Sequence, residues 1–339
     1  MPSSPRPLRK LGFLTIGLFD EADPRRGPRV HAGDHRAGRA ARLRQRVAAA
    51  TGISSTASRP PVAVMAAASQ RTSRIELGTA VIPLGWENPL RLAEDLATVD
   101  ILSGGRINPG VSVGPPMHFE EVKGALYPDT ADAEDFSYER VRRLLDFVRG
   151  KPASDFSGVQ GFEVFSDRVQ PHSAGLGRRL WYGGGSLSSA QWAGEHGMNF
   201  LTSSVVKAEG AEGPYDLRSD PALAPPCLPR RPPRTARTPG CPRGLVVIPT
   251  DSASPEQRAK YEAYAAKRTP RTTSPQGPAQ LMFAPDIVGT SEEIAERLHA
   301  HAAFREVDEV AFRAAVHLRA RGLCADPHRH GDETGSDAG

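Results

Sequence analysis

Cysteine is scarce in this chain. Its 339 residues hold three, Cys227, Cys241 and Cys324, too few for a disulfide framework and without the spacing of a metal site. No apolar run approaches the roughly 20 residues of a membrane helix, which excludes a bilayer-spanning role for any single segment read this way. The opening PSSPRPLRK is too short and polar to read as a secretory signal. The expectation is a cytoplasmic protein with no metal. Charged residues at 24% and hydrophobic ones at 39% fit a soluble globular chain, and the length suits one α/β barrel of about 250 residues with insertions.

The most ordered pattern runs over residues 77–114, LGTAVIPLGWENPLRLAEDLATVDILSGGRINPGVSVG. Leu77 to Leu84 is an apolar, β-branched run closed by Pro83 and Gly85, as for a strand buried on both faces. Asn88 is a good N-cap and Pro89 suits the first helical position. Leu92, Leu96 and Val99 then recur at helical spacing, with Arg91, Glu94 and Asp95 on the other side. The helix stops at Ser103-Gly104-Gly105, and Arg106 to Gly114 carries a second strand. A strand–helix–strand unit of this length is a βαβ crossover, so the sheet is parallel and ligands bind at the carboxyl ends of its strands.

The same rhythm recurs elsewhere. Lys10 to Leu18 and Gly244 to Thr250 read as strands, and Asp135 to Arg149 as a helix burying Val141, Leu144, Leu145 and Val148. A further helix is expected from Pro255 to about Lys267. Another begins near Thr290 or Ser291, either of which could cap it, with Glu292 and Glu293 in its positive first turn. Asp308 to Phe312 is the expected last strand. Leu180-Trp181-Tyr182 runs into Gly183-Gly184-Gly185-Ser186 and then a helix. Such a turn presents backbone N–H groups at a helix N-terminus, a site suited to phosphate, and glycine lets the ligand approach closely. Ser186 and Ser189 can add hydroxyl donors.

These motifs together resemble the bacterial luciferase-like monooxygenase family of flavin- or deazaflavin-dependent TIM barrels. The resemblance rests on Gly78-Thr79-Ala80-Val81, on Asn88-Pro89 with Arg91, Ala93, Glu94 and Asp100, and on Leu102-Ser103-Gly104-Gly105-Arg106. It extends to Gln191-Trp192-Ala193 with Gly197-Met198, and to Val288-Gly289-Thr290 followed by Glu292-Glu293 and Ala295 to Leu298. It implies one (β/α)8 barrel domain over 1–339, supported most strongly in 60–214 and 244–312. It implies a monooxygenase in which reduced FMN and O2 oxygenate a small organic substrate, served by a flavin reductase, in a homo- or heterodimer. The alternatives are hydride transfer with F420, and a catalytically defective flavin-binding barrel or subunit. The implied cofactor contacts are Thr79, Ala80, Val113, Gly114, Gly184, Gly185, Ser186 and Ser189, with a cis peptide after Ala80. One departure stands out: Val113 occupies the place where relatives carry a phosphate-side arginine. No histidine lies at the expected second strand end, and His118, His172 and His196 match no motif, so no catalytic residue is assigned.

Three tracts, 28–59, 215–243 and 313–339, lose this periodicity and turn rich in Arg, Pro, Ala, Gly and His. The first sets Arg29, Arg36, Arg39, Arg42, Arg44 and Arg46 against Asp34. It lacks interleaved aromatics for stacking, which argues against a nucleic-acid arm. All three read as translation out of frame, leaving those barrel segments disrupted or disordered. Codons compatible with Pro28 to Ala48, shifted by one nucleotide, permit an amphipathic helix followed by a strand, and the other two tracts also yield barrel-like segments. The gene should therefore carry insertions or deletions bracketing each tract. Resequencing checks this, and one intact frame shared by close relatives would refute it.

Overall fold

The computed structural model describes residues 10–15, 44–47, 61–116, 118–202, 204–208, 243–300 and 309–313. The first elements are β1 (Lys10–Thr15), β2 (Arg44–Val47), α1 (Pro61–Ser69), β3 (Leu77–Thr79), β4 (Ile82–Pro83) and α2 (Pro89–Ser103). Next come β5 (Ile107–Asn108), β6 (Gly110–Ser112), α3 (Phe119–Leu126), α4 (Tyr138–Val148) and a hairpin of β7 (Gly158–Gln160) and β8 (Glu163–Phe165). Then follow β9 (Trp181–Gly183), α5 (Leu187–Glu195), β10 (Asn199–Leu201), β11 (Val205–Lys207), β12 (Arg243–Pro249) and α6 (Pro255–Arg268). The last are β13 (Leu281–Phe283), β14 (Ile287–Gly289), α7 (Ser291–Ala300) and β15 (Glu309–Arg313).

Two parallel sheets, ordered β14-β12-β15-β1-β2-β3-β5 and β10-β9-β6-β4, carry the architecture. They join because β3 runs on into β4 and β5 into β6. Followed across that junction from β12, which also carries β14 on its outer edge, the wall reads β12, β15, β1, β2, β3/β4, β5/β6, β9, β10. That is the rotation order of an α/β TIM barrel, with helices following strands in alternation. No pairing between β10 and β12 occurs among the described residues.

Helix α2 forms as its capping residues dictate. Asn88 Oδ1 accepts from the Leu90 and Arg91 backbone N–H groups at 2.9 and 3.3 Å, and Gly104 ends the helix at φ 67°. Leu92, Leu96 and Val99 are buried together with Val141, Leu144, Leu145 and Val148 of α4 in the main core. Thr290, rather than Ser291, caps α7. Its Oγ1 accepts from Glu293 N–H at 3.2 Å, while the Glu293 carboxylate accepts from Thr290 N–H at 2.7 Å, a reciprocal box. Ser291 instead donates its N–H and hydroxyl to Asp251.

Three expectations need correction. The single strand expected over Leu77 to Leu84 is split into β3 and β4 by a cis Ala80–Val81 peptide, with Ile82 rejoining a different sheet opposite Val111. The strand expected over Arg106 to Gly114 is likewise split at Pro109, which has no N–H to give to a ladder and whose carbonyl accepts from Trp181 N–H at 2.8 Å. Within tract 28–59, Arg44–Val47 is not disrupted: it forms β2, in register with β1 and with β3 (Gln45↔Leu77). Strand pairing uses main-chain groups that every residue but proline supplies, so side-chain periodicity understates it. Arg243 and Arg313, at the margins of the other tracts, also lie in strands. The remainder of the tracts lies outside the described residues.

A buried ion pair ties the wall to its helices. Asp100 of α2, 1% exposed, takes both Nη atoms of Arg179 at 2.7 Å and the Ser173 hydroxyl at 2.5 Å. Arg179 Nη1 also donates to the Gly105 and Ile107 carbonyls at 2.8 Å. Asp100 is buried and the Arg179 side chain 26% exposed, so losing the carboxylate costs about 3 kcal/mol, the lower end for buried pairs. Asp100→Ala should therefore lower the urea midpoint by that stability equivalent. A shift below about 1 kcal/mol would mean that the pair contributes no more than a surface one.

Candidate active site

The sequence-predicted residues converge where β3/β4, β6 and β9 end. Thr79 is fully buried, and its hydroxyl clasps Gly110, donating to the carbonyl at 2.7 Å and accepting from the N–H at 2.8 Å. It therefore sets the spacing of two strands, and its one proton is committed to the Gly110 carbonyl. Ala80 and Val81 follow, half-buried. Val81 lies across two glycines: a Cβ on Gly183 would sit 2.4 Å from Val81 Cγ1, and one on Gly110 would sit 2.4 Å from the Thr79 carbonyl oxygen. Neither site admits a side chain, so adjacent strand ends can close around the valine.

Beyond β6, Gly114 adopts φ 107°, and a Cβ there would meet nothing within 4 Å. The chain is thus open above Gly114, at the same strand ends. Its height is set from behind. A Cβ on Gly85 would lie 2.5 Å from the Gly114 carbonyl oxygen, and Gly114 N–H donates to the Phe136 carbonyl at 3.1 Å. Arg140, 5% exposed, holds this loop in place by donating to the Leu84 and Glu87 carbonyls and the Tyr127 hydroxyl at 2.8–2.9 Å. Tyr127 in turn donates to the Gly85 carbonyl at 2.8 Å. The Arg140 guanidinium also pairs with Glu134 at 2.7 Å and holds that carboxyl below its usual range.

The glycine turn after β9 meets α5 as expected. Gly184 N–H donates to the Leu201 carbonyl at 3.1 Å, and the Gly185 carbonyl accepts from Lys207 N–H at 2.7 Å. Ser186 is the N-cap of α5, accepting from Ser189 N–H at 3.1 Å. Its hydroxyl donates to Ser189 Oγ at 2.8 Å and lies 3.0 Å from Ser188 Oγ. Ser189 is buried, and its Oγ lies 3.1 Å from the Tyr138 hydroxyl. Burial pushes the Tyr182 phenol well above its usual range, and the adjacent Tyr138 adds to the rise, against the donors Ser189 and Val113 N–H. The phenol stays neutral at physiological pH. Val113 and Ser189, far apart in sequence, meet at this one ring.

Sequence reasoning missed Tyr138 and Tyr182 as site residues. Tyr138 stacks on Trp192 at 4.7 Å, and Trp192 belongs to the Gln191-Trp192-Ala193 motif. The motif thus marks the partner of a tyrosine that no local pattern flagged. The histidines lie elsewhere. His196 caps α5, stacks on Trp192 at 4.1 Å and places Nδ1 2.8 Å from the Trp192 carbonyl. His172 packs against Gly150, and His118 precedes α3. Among the described residues, no group of three or more His, Cys, Asp or Glu could hold a metal, and no helix is long and apolar enough to cross a membrane.

The cradle gathers hydroxyl donors of the kind an oxyanion takes. Hydroxyls of Ser186, Ser188, Ser189 and Tyr138 cluster beside the start of an α-helix, and each can turn its proton toward an anion. The start of α5 adds the partial positive charge of a helix N-terminus, and Val113 stands where an arginine was expected.

Residues 22–220 match the family model for luciferase-like monooxygenase. The chain is 27% identical over 151 residues to F420-dependent glucose-6-phosphate dehydrogenase from Amycolatopsis mediterranei. That match covers 42% of each protein, so the chain spans less than half the length of this relative. Apo-MsnO8 shares the fold at a TM-score of 0.65 and 20% identity, over 93% of this chain and 95% of that one. The oxygenating constituent of 3,6-diketocamphane monooxygenase from Pseudomonas putida, solved in complex with FMN, does so at 0.56 and 12%, over 93% and 94%. The family match takes in more than half of the chain and all the strand ends that build the site, and the chain therefore belongs to the luciferase-like monooxygenase family.

Proposed function

We propose that this chain is a flavin-dependent monooxygenase that binds reduced FMN and uses O2 to oxygenate a small organic substrate. The observation that carries the reading is the hydroxyl cradle at Gly184–Ser189, coupled through Tyr182 and Val113 to the open backbone at Gly114, beside half-buried Ala80 and Val81. FMN supplies the redox chemistry when bound. Ser186, Ser189 and Tyr138 would hold its phosphate, and Gly184 and Gly185 let α5 and β11 pack closely behind it, since a Cβ on either would meet Ser189 or Val205. Ala80 and Val81 form the floor beneath the ring, with Gly114 leaving room beside it, and Thr79 acts through Gly110 by fixing that floor. The apolar valine floor keeps water from the reacting face. Protons have no dedicated carrier among these groups, since the Tyr182 phenol stays protonated.

The similarity to an F420-dependent dehydrogenase supports a second reading, hydride transfer with F420 and no oxygen. In either case we assign the protein to the cytoplasm, acting on a diffusible substrate with a flavin reductase as supplier in the FMN case. We assign it no membrane or nucleic-acid partner.

Two measurements test this. Oxygen uptake dependent on reduced FMN and on an organic acceptor is expected of the purified chain; F420 binding without FMN affinity would establish the second reading instead. Tyr138→Phe keeps the stack on Trp192 but removes one hydroxyl. A hydrogen bond to a charged group is worth about 1.5–3 kcal/mol, so FMN should bind roughly tenfold or more weakly. Riboflavin, which has no phosphate, should bind as to the parent. Equal loss for both ligands in a flavin-fluorescence titration would remove the phosphate from this cradle.

A further inference from the structure

The barrel wall makes an excursion at the carboxyl end of β12. The chain leaves at Thr250, forms α6, a 3-10 turn (Thr269–Thr272) and β13, and returns in β14 beside its starting point. There Thr250 N–H donates to the Gly289 carbonyl at 2.8 Å. Strand β13 pairs with β11, Phe283 opposite Val205, and β11 is held to the glycine turn of the cradle by Lys207 N–H on the Gly185 carbonyl. Phe283 therefore lies two interstrand spacings, or about 10 Å, from that turn. Beside it the excursion encloses a cavity of about 30 Å³, room for a small polar group and not for a whole substrate.

The charged groups lining the cavity are Arg268, Arg271 and Asp286. Arg268 Nε lies 2.6 Å from Asp286 Oδ2, on a carboxylate side chain only 2% exposed, and the Arg268 guanidinium lies over the Tyr264 ring at 5.4 Å. Arg271 lies over the Phe283 ring at 6.0 Å. A guanidinium on an aromatic face keeps its N–H edges for a planar acceptor. Among the described residues, neither Arg271 nor the Arg268 Nη groups donate to an acceptor. The Thr269 and Thr272 hydroxyls spend their protons on the Ala265 and Thr269 carbonyls, so the arginines supply the side-chain donors. Two arginines against one aspartate leave a single positive charge. We propose that this cavity takes the carboxylate of the substrate. A carboxylate is planar and singly charged, and its two oxygens match the guanidinium fork. A phosphate monoester brings a third oxygen and close to a second charge, which this lining does not balance. Binding energy gained at such a remote group orients the reacting end. Calling the ligand a substrate rests on the flavin monooxygenase reading; the site itself rests on the two arginines.

Saturation-transfer NMR on the full chain without flavin tests it, with butyrate as the probe and butanamide as its uncharged counterpart. Butyrate is expected to bind, and butanamide about tenfold more weakly or less, because the bonds to a charged acceptor are the stronger class. Arg271→Gln, at an exposed position, should weaken butyrate about tenfold or more while the thermal transition stays that of the parent. Should that variant alter the transition, Arg271→Lys, which keeps the charge without the fork, is read by the same criteria. A parent chain that does not bind butyrate, that binds butanamide equally, or that binds inorganic phosphate more tightly than butyrate overturns the inference. So does unchanged butyrate binding by the variant. FMN affinity is measured separately: a chain that binds butyrate through Arg271 but takes no FMN keeps the carboxylate site and loses only the flavin reading.

Discussion

The site depends on how closely three strand ends can approach one another. Val81 is a branched side chain lodged where a Cβ on Gly183 would stand 2.4 Å from it, and a Cβ on Gly110 would strike the Thr79 carbonyl at the same distance. Packing at that separation is possible only with hydrogen in place of a side chain, and interiors of this density transmit any displacement to their neighbours. The two glycines and the valine thus act as one unit. Moving any of them separates the Ala80–Val81 floor from the cradle after β9. Thr79 belongs to the same unit, since its hydroxyl takes both polar groups of Gly110 where the ladder is interrupted.

Two arginines hold this unit from outside. Arg179 neutralises Asp100 and gathers the Gly105 and Ile107 carbonyls, which fixes the helix α2 and the start of β5 to the segment leading into β9. Arg140 gathers the Leu84 and Glu87 carbonyls and Tyr127, which fixes the loop between β4 and α2. Both are planar donors whose fork reaches several acceptors at once, a task that a lysine cannot repeat. The Glu87 carboxyl beside the Arg140 contacts is raised by its burial and by Asp95.

What was legible in the sequence was local. Asn88, Pro89 and Gly104 bound a helix through contacts with residues two to four positions away, and the Leu92–Leu96–Val99 stripe names its buried face; each is a short-range rule with one solution. Thr290 and Glu293 are legible for the same reason. The breaks at Ala80–Val81 and Pro109 were not, because an apolar run looks continuous whether or not it changes sheets, and the partner that decides, Gly110 for one and Trp181 for the other, is remote in the chain. Tyr138 is the clearest case. The sequence places it inside a helix expected from Asp135, and only the folded chain, in which the helix starts at Tyr138, brings it to Ser189 and Trp192. The strand Arg44–Val47 was missed for the opposite reason: its side chains carry no alternation, yet its backbone pairs on both sides.

The cradle also bears on why an arginine can be absent. A guanidinium beside a phosphate is a strong ligand but also a fixed charge, which must be solvated or paired whenever the phosphate is away. Here Val113 takes that place and contributes its N–H toward Tyr182 instead. The remaining donors are hydroxyls that satisfy one another at 2.8–3.1 Å, so the cradle itself carries no charged side chain. Binding then exchanges hydroxyl–hydroxyl bonds for hydroxyl–phosphate bonds, a modest net gain per contact. An affinity assembled in this way is suited to a cofactor that arrives reduced and leaves oxidised, and less suited to one held permanently. Under the proposed function, the hydroxyl cradle and the valine packed on Gly183 would serve one use: a flavin treated as a substrate and gripped at its phosphate for a single turnover.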